Sequence, residues 1–309
     1  MGTADAPILA VRGLTRRFGG VIAVDDCSFA LTPHRIWGLI GPNGSGKTTL
    51  FNLLSGVLAP DAGQIVFKGH NVAGWPSHRI TARGLGRTFQ ITRLFEGMTV
   101  LENMRVAARA ADPARVAARA DELIEFVGLR ALRDEYAGNL SYGQQKLIEF
   151  MRVLMTEPEL ILLDEPFAGV NPVMENKLVE LIHALLAQGK TFLITDHEMR
   201  LIMSLCERVL VLDYGHLIAE GPPAAIRADE RVIEAYFGRR RGEPPSPQPS
   251  PTGRGSESRE RDEPSAPLRG EERPARYSAS PGEGVPPPLP LEEGGGEGGS
   301  RPSDAGGEG

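Results

Sequence analysis

Cysteine is scarce: two in 309 residues, Cys27 and Cys206. Each lies in an apolar stretch, so both are read as core residues suited to a reducing compartment, not as a disulfide or metal pair. The histidines His34, His70, His78 and His183 have no cysteine or histidine partner at ligand spacing, and no zinc site is expected. Long apolar runs are also missing. No stretch approaches eighteen uncharged apolar residues, and Met1 to Pro7 lacks the basic-then-apolar order of a secretion signal, so neither a membrane span nor export is expected. Net charge is absent from most of the chain. The formal −6 resides in residues 242–309, with thirteen acidic and seven basic side chains, which leaves 27 of each sign elsewhere. A neutral body supplies no field to attract nucleic acid. The same final segment has fourteen prolines and fourteen glycines but only Leu268, Tyr277, Val285, Leu289 and Leu291 as large apolar residues. Burial of so few cannot offset chain entropy, and 242–309 is predicted to be a disordered Pro/Gly/Glu-rich tail.

The remaining residues are numerous enough for one large or two small lobes, and they are organised around Gly41-Pro42-Asn43-Gly44-Ser45-Gly46-Lys47-Thr48. The spacing is G-x-x-x-x-G-K-[ST]. It follows the apolar run Ile36 to Ile40 and precedes Thr49 to Leu54, giving strand, tight loop, helix. Glycines let the backbone N–H groups turn inward around a polyphosphate, and the helix N-terminus adds partial positive charge. Lys47 is placed to reach the β- and γ-phosphates of a nucleotide, and the Thr48 hydroxyl to ligate Mg²⁺.

Upstream, Ile8 to Val11, Val21 to Val24 and Cys27 to Leu31 read as short antiparallel strands, with a turn at Phe18-Gly19-Gly20. Phe18 fits two readings, an aromatic face stacked on adenine or a core residue. Gln64 to Phe67 reads as a further strand. Helical periodicity takes over from Thr99 to Gly128 and again from Lys146 to Met155, the second helix preceded by Asn139-Leu140-Ser141-Tyr142-Gly143-Gln144-Gln145. Ser141 is placed as N-cap, although the same serine and glycine at a helix start can form an anion site. The apolar strand Leu160 to Leu163 then delivers Asp164 and Glu165 at its carboxyl end, where parallel α/β sheets bind ligands. Because side chains alternate along a strand, the two acids are free to hold different roles: Asp164 on Mg²⁺ through water, Glu165 on an attacking water. Thr191 to Asp196 repeats the pattern and presents His197, a candidate for sensing the γ-phosphate. Strands at Arg208 to Leu212 and His216 to Ala219 and a helix near Arg231 to Tyr236 complete the body.

In order and spacing these motifs resemble the ATP-binding subunit of an ABC transporter, over roughly residues 8 to 238. The resemblance implies an α/β fold: a P-loop NTPase with a RecA-like core of ABC type, carrying an antiparallel β subdomain and a helical subdomain. It divides the chain into an ATPase domain at 1–241, with the helical part inserted at about 91–156, and the tail. It makes Gly41 to Thr48 the Walker A loop, Gln90 the Q-loop glutamine, Leu140 to Gln144 the signature, Ile161 to Glu165 Walker B, Ala168 to Pro172 the D-loop and His197 the switch histidine. Glu165, His197 and Gln90 are then the expected catalytic set, and Thr48, Gln90 and Asp164 the metal set. The expected ATP contacts are Phe18, the loop from Gly41 through Thr49, and Ser141, Gly143 and Gln144. Phe18 stands where the family stacks adenine, usually on a tyrosine. Ser141 and Gly143 are expected to close over the γ-phosphate held by a second ATP-binding subunit. The implied partners are that subunit, an integral permease and, indirectly, a solute-binding protein, with the chain peripheral on the cytoplasmic face of the membrane.

Arg87-Thr88-Phe89-Gln90, Leu94-Phe95, Thr99 to Asn103, the Ser-Tyr-Gly-Gln-Gln signature, Ala168 to Pro172, and Glu220-Gly221 to Phe237-Gly238 resemble the branched-chain amino acid importer ATPases and their urea and amide relatives. The helical lobe is shorter than in that group, His34-Arg35 stands where Gly-Glu is common, and the acidic tail is foreign to the pattern. Pro166 to Val170 and Ile194 to His197 also resemble lipid and lipopolysaccharide exporter ATPases. A soluble ABC-type ATPase acting on nucleic acid or ribosomes is the alternative from another class, opposed by the single uninterrupted cassette and the neutral body.

Overall fold

The computed structural model describes residues 6–88, 94–108 and 112–237. The tail expected at 242–309 and Gln90 lie outside the described residues. At the N-terminus β1 (Leu9–Phe18) and β2 (Val21–Leu31) form a hairpin. The three short strands expected here are thus two long ones. The interruptions in the apolar pattern are register shifts between Val11, Leu14, Arg16 and Arg17, where Gly13 and Asp26 adopt left-handed φ of 58° and 46°. A bulge moves the alternation out of phase without ending the pairing, which is why the pattern reads as separate strands.

The chain continues through β3 (Ile36–Ile40) into α1 (Lys47–Leu54), then β4 (Ala62–Phe67) and β5 (His70–Asn71), α2 (Ser77–Ala82) and β6 (Leu85–Arg87). Three helices follow: α3 (Val100–Ala107), α4 (Pro113–Phe126) and α5 (Tyr142–Leu154). The second half alternates β7 (Leu160–Asp164), α6 (Pro172–Ala187), β8 (Thr191–Thr195), α7 (Met199–Leu205), β9 (Arg208–Asp213), β10 (His216–Gly221), α8 (Pro223–Ala228) and α9 (Glu230–Phe237). An antiparallel sheet has the order β2-β1-β4-β5; the main sheet has the order β10-β9-β3-β8-β7-β6, parallel from β9 to β6.

The main sheet separates two apolar cores by strict alternation. Trp37 and Leu39 of β3, Leu160 and Leu162 of β7, Leu193 of β8 and Leu210 and Leu212 of β9 face α1 and the antiparallel sheet. Ile36, Ile40, Ile161, Leu163, Phe192, Ile194, Val209 and Val211 face the helices on the other side. Each such side chain, removed from water, contributes about 1.5–3 kcal/mol. This explains why the strands read as unbroken apolar runs: both faces are covered. Cys27 and Cys206 belong to these cores, and burial pushes each thiol up to about 12, which keeps both protonated and unreactive at neutral pH. Among the described residues no helix is long and apolar enough to cross a membrane.

Helix boundaries follow their caps. Thr99 caps α3 in a box with Glu102, Asp112 caps α4, and Ser141 caps α5 in a box with Gln144. The sixteen-residue α6, beyond the elements expected from sequence, starts at N-cap Asn171 with Pro172 in the first turn and buries Leu178, Leu181, Ile182 and Leu185.

Candidate functional site

The site assembles at the carboxyl ends of β3, β8 and β7, adjacent in the sheet. After Ile40 the chain turns through Gly41 and enters α1. A Cβ at Gly41 would meet the Leu212 carbonyl at 2.0 Å and Ser45 Oγ at 2.5 Å. One at Gly46, where φ is 104°, would meet the Ala23 carbonyl at 2.2 Å. Only glycine fits between the loop and its supports. Those supports are the β2 strand and the β9–β10 turn, whose Gly215 donates from N to the Ser45 carbonyl at 2.9 Å and accepts from Asp25 N at 2.9 Å. The loop is therefore braced from behind and open in front. Asn43, Gly44 and Thr48 are exposed, and Pro42, Lys47 and Thr49 half-buried. Ser45 Oγ is buried without a hydrogen-bond partner among the described residues.

Lys47 Nζ donates to the Gly41 and Pro42 carbonyls at 2.7 and 2.9 Å. Burial lowers its pKa, while the charges of Glu165 and then Asp164 pull it back up, so both carboxylates act on this ammonium. Asp164 lies on the α1 face of β7, in phase with Leu160 and Leu162. Arg87, at the end of β6, donates from Nη2 to Asp164 Oδ2 at 3.0 Å and from Nη1 to Asn52 Oδ1 and Ser55 Oγ at 2.8 Å each. The Thr88 hydroxyl accepts from Asp164 N at 3.2 Å. Burial pushes the Asp164 carboxyl above the usual range, and the Arg87 hydrogen bond opposes the shift. Glu165 leaves the strand direction: its φ is 48°, and its N–H is held by the Thr195 carbonyl at 2.8 Å. A left-handed non-glycine residue at a ligand-facing strand end is stored strain of the kind found at functional sites.

His197 lies just past β8, exposed, with Nδ1 3.5 Å from Asp196 Oδ1. Phe18 ends β1 with 44 % of its surface exposed and the Arg16 guanidinium 4.9 Å from its ring centre, which rules out the core reading and leaves a free aromatic face. Ser141 and Gln144 are bonded to each other (Ser141 N to Gln144 Oε1 at 2.9 Å, Gln144 N to Ser141 Oγ at 3.4 Å) and not to the 41–48 loop. Gly143 packs against Met174 of α6, where a Cβ would approach the side chain to 3.0 Å, and the Tyr142 ring lies over Gly169. The structure thus gathers the phosphate loop, Asp164 and Glu165, places His197 just past the end of β8 between β3 and β7, and sets the signature serine apart at the start of α5. Arg87, Thr88, Asn52, Ser55 and Asp196 are the supports that motif spacing alone did not mark. For Asp196 a signal existed in the sequence, a carboxylate directly after the apolar run Phe192 to Ile194 and Thr195; the structure buries its side chain completely.

A glycine-braced anion loop at the head of a parallel sheet, with a lysine and two carboxylates converging on it, defines a P-loop nucleotide-binding ATPase. The ABC transporter family model matches residues 24–168, and the model of the branched-chain amino acid ATP-binding cassette transporter matches 216–241. The high-affinity branched-chain amino acid transport ATP-binding protein LivG of Salmonella typhimurium is 40 % identical over 250 residues, covering 75 % of this chain and 98 % of the relative. BraF of Pseudomonas aeruginosa, of the same description, is 38 % identical over 250 residues, with the same coverage. The lipopolysaccharide export system ATP-binding protein LptB of Escherichia coli is 36 % identical over 233 residues, 74 % of this chain and 97 % of that one. Among solved structures, a nucleotide-free ATP-binding cassette from an ABC transporter superposes with TM-score 0.70 at 32 % identity, covering 76 % of this chain and all of that one, and an ADP-bound cassette with 0.69 at the same identity and coverage. The chain belongs to the ATP-binding proteins of the ABC transporter family and is a nucleotide-binding ATPase.

Proposed function

We propose that this chain is the ATP-hydrolysing subunit that drives import of branched-chain amino acids or related small amides through a separate permease, working on the cytoplasmic face of the membrane. The observation that carries the substrate class is the match of residues 216–241, outside the general cassette match, to the branched-chain transporter model. In this reading residues 1–241 form the ATPase domain, with the helical subdomain at about 91–156.

Phe18 stacks the adenine, and the amides from Gly41 to Thr49 surround the phosphates. Lys47 exchanges its two carbonyl acceptors for β- and γ-phosphate oxygens, so its hydrogen bonds are replaced, not lost. The oxygen donors of Thr48, Asp164 and Gln90 suit a hard divalent cation: Thr48 is exposed at the start of α1, and Asp164 ends β7, one strand removed from β3, where its charge acts on Lys47. Bound there, Mg²⁺ would neutralise phosphate charge. Glu165 polarises the water that attacks the γ-phosphorus; the bond to the β-phosphate oxygen breaks, and ADP takes the electron pair. His197 holds the γ-phosphate in place.

Ser141, Gly143 and Gln144 act in trans on the ATP of a second ATP-binding subunit. An ATP-filled pair binds the closed state better than the open one, and that difference in affinity moves the permease. The solute-binding protein acts on the permease, not on this chain.

Affinity isolation of the full chain from its native membranes, followed by identification of the integral protein bound to it, tests the assignment. An amino acid permease is the expected result. A lipopolysaccharide-handling membrane protein would overturn it in favour of export, the reading supported by the 36 % identity to LptB.

A further inference from the structure

Two consecutive residues at the end of β8 grip the turn that carries Glu165. The Thr195 carbonyl accepts from Glu165 N at 2.8 Å, and Asp196 Oδ2 accepts from Phe167 N at 3.2 Å. The other oxygen of Asp196 accepts from Glu198 N at 3.0 Å and lies 3.5 Å from His197 Nδ1. One carboxylate therefore touches the loop after Glu165, the backbone after the switch histidine and the histidine itself. Burial is asymmetric: the Asp196 side chain is 0 % exposed and that of His197 63 %. The carboxylate is a fixed anchor and the imidazole a free arm. From Phe167 the chain runs through Gly169, which lies under the Tyr142 ring, to the N-cap Asn171 of α6. The loop 165–171 is thus in contact with the signature turn at one end and with Asp196 at the other.

We propose that Asp196 is a positioning residue that joins the 165–171 loop to His197, so that displacement of this loop by a docking second subunit moves the histidine relative to the γ-phosphate. The inference rests on the functional reading above, in which His197 holds the γ-phosphate and the signature turn, whose Tyr142 lies over Gly169 of this loop, meets a second cassette. Chemically the anchor requires two acceptor oxygens on one side chain. Asp196 accepts from two backbone amides through different oxygens, whereas asparagine offers one acceptor oxygen and two donors, so one amide would lose its partner. Coupling of this kind makes hydrolysis respond to pairing without any change in nucleotide affinity.

The test compares the full-length chain with Asp196→Asn, His197→Ala, the double variant and Asp196→Glu. ATP cleavage is followed under single-turnover conditions, and nucleotide affinity by ADP titration. Asp196→Asn is expected to slow cleavage about 10- to 100-fold, the scale of a small misplacement near a reacting centre, with ADP affinity unchanged. Added to His197→Ala, it should cost nothing further, because its effect passes through the histidine. A wild-type rate in Asp196→Asn, or a full additional loss in the double variant, overturns the proposal and leaves Asp196 a purely structural carboxylate. A wild-type rate in His197→Ala instead removes the functional reading itself. Should Asp196→Asn fail to fold, Asp196→Glu keeps the charge on a longer arm: cleavage should slow with affinity intact, and a wild-type rate contradicts the joint.

Discussion

Glu165→Gln is expected to reduce ATP turnover by about 10²- to 10⁴-fold, the usual worth of a positioned general base, while nucleotide affinity stays near its original value. The amide fills the volume of the carboxylate and keeps the left-handed backbone held by the Thr195 carbonyl. What it loses is the carboxylate oxygen that, in the proposed mechanism, orients and deprotonates water. Affinity should survive because, in the proposed mechanism, the phosphates are bound by the loop that follows β3 and by Lys47 of α1, not by the end of β7. One small change is foreseen in the other direction: of the two carboxylates that support the Lys47 ammonium, Glu165 has the stronger effect, so its neutralisation removes part of that support. Turnover and equilibrium binding measured on the same preparation decide the matter. Undiminished hydrolysis would assign the base to another residue.

The second large effect concerns stability. Arg87 and Asp164 form an ion pair with 6 % and 4 % side-chain exposure, shielded from solvent screening. Removing one member of such a pair leaves a buried charge without its partner, a loss of about 3–5 kcal/mol. Arg87→Met is therefore expected to lower the urea midpoint markedly, with the denaturant slope unchanged. Burial outweighs the arginine in setting the Asp164 pKa, which lies above the ordinary 3.8. The pair is thus not a strong net stabiliser compared with apolar residues, and Arg87→Met combined with Asp164→Leu should cost less than Arg87→Met alone. The pH dependence has a definite sign. A carboxyl whose folded pKa is raised binds its proton more tightly in the native state, so its contribution is complete below the unfolded value and is lost as pH rises through the folded one. Without Arg87 the raised pKa moves further upward, and the penalty of Arg87→Met should be largest at neutral pH and shrink as Asp164 protonates. An equal penalty at all pH values would show that lost packing, not charge, dominates.

Much of this site is legible in the sequence because its chemistry is local. A phosphate loop must be glycine-rich, must follow a strand and must open a helix, and residues 36–54 satisfy all three conditions within nineteen positions. Asp164, Glu165 and His197 are legible for a related reason: an apolar strand that ends in a polar residue projects it from the sheet. The signature serine is placed as a cap by its position before the amphipathic helix, and in the structure it caps α5 in a box with Gln144. Its role toward a second subunit comes from the family resemblance and not from local pattern, since the nucleotide it serves is held by a different molecule.

The supports are another matter. Arg87 reaches Asp164 across 77 residues and Asn52 across 35, distances at which no periodicity survives. The β1–β2 hairpin is obscured by bulges that shift the alternation. Helix α6 carries an Asn-Pro start and an i, i+3, i+4, i+7 apolar face, so its local signals are complete, but its first residues coincide with the D-loop pattern. Gln90 lies outside the described residues, and its part in the metal set remains a proposal.

The proposed ATP turnover depends on a pocket completed by two cassettes. The most direct measurement is specific ATP turnover of the full-length chain over a dilution series, with particle mass determined at each concentration. The account predicts that turnover falls as paired particles dissociate and that Ser141→Arg abolishes it without weakening nucleotide binding. Constant turnover by a particle that remains monomeric throughout the series would contradict it.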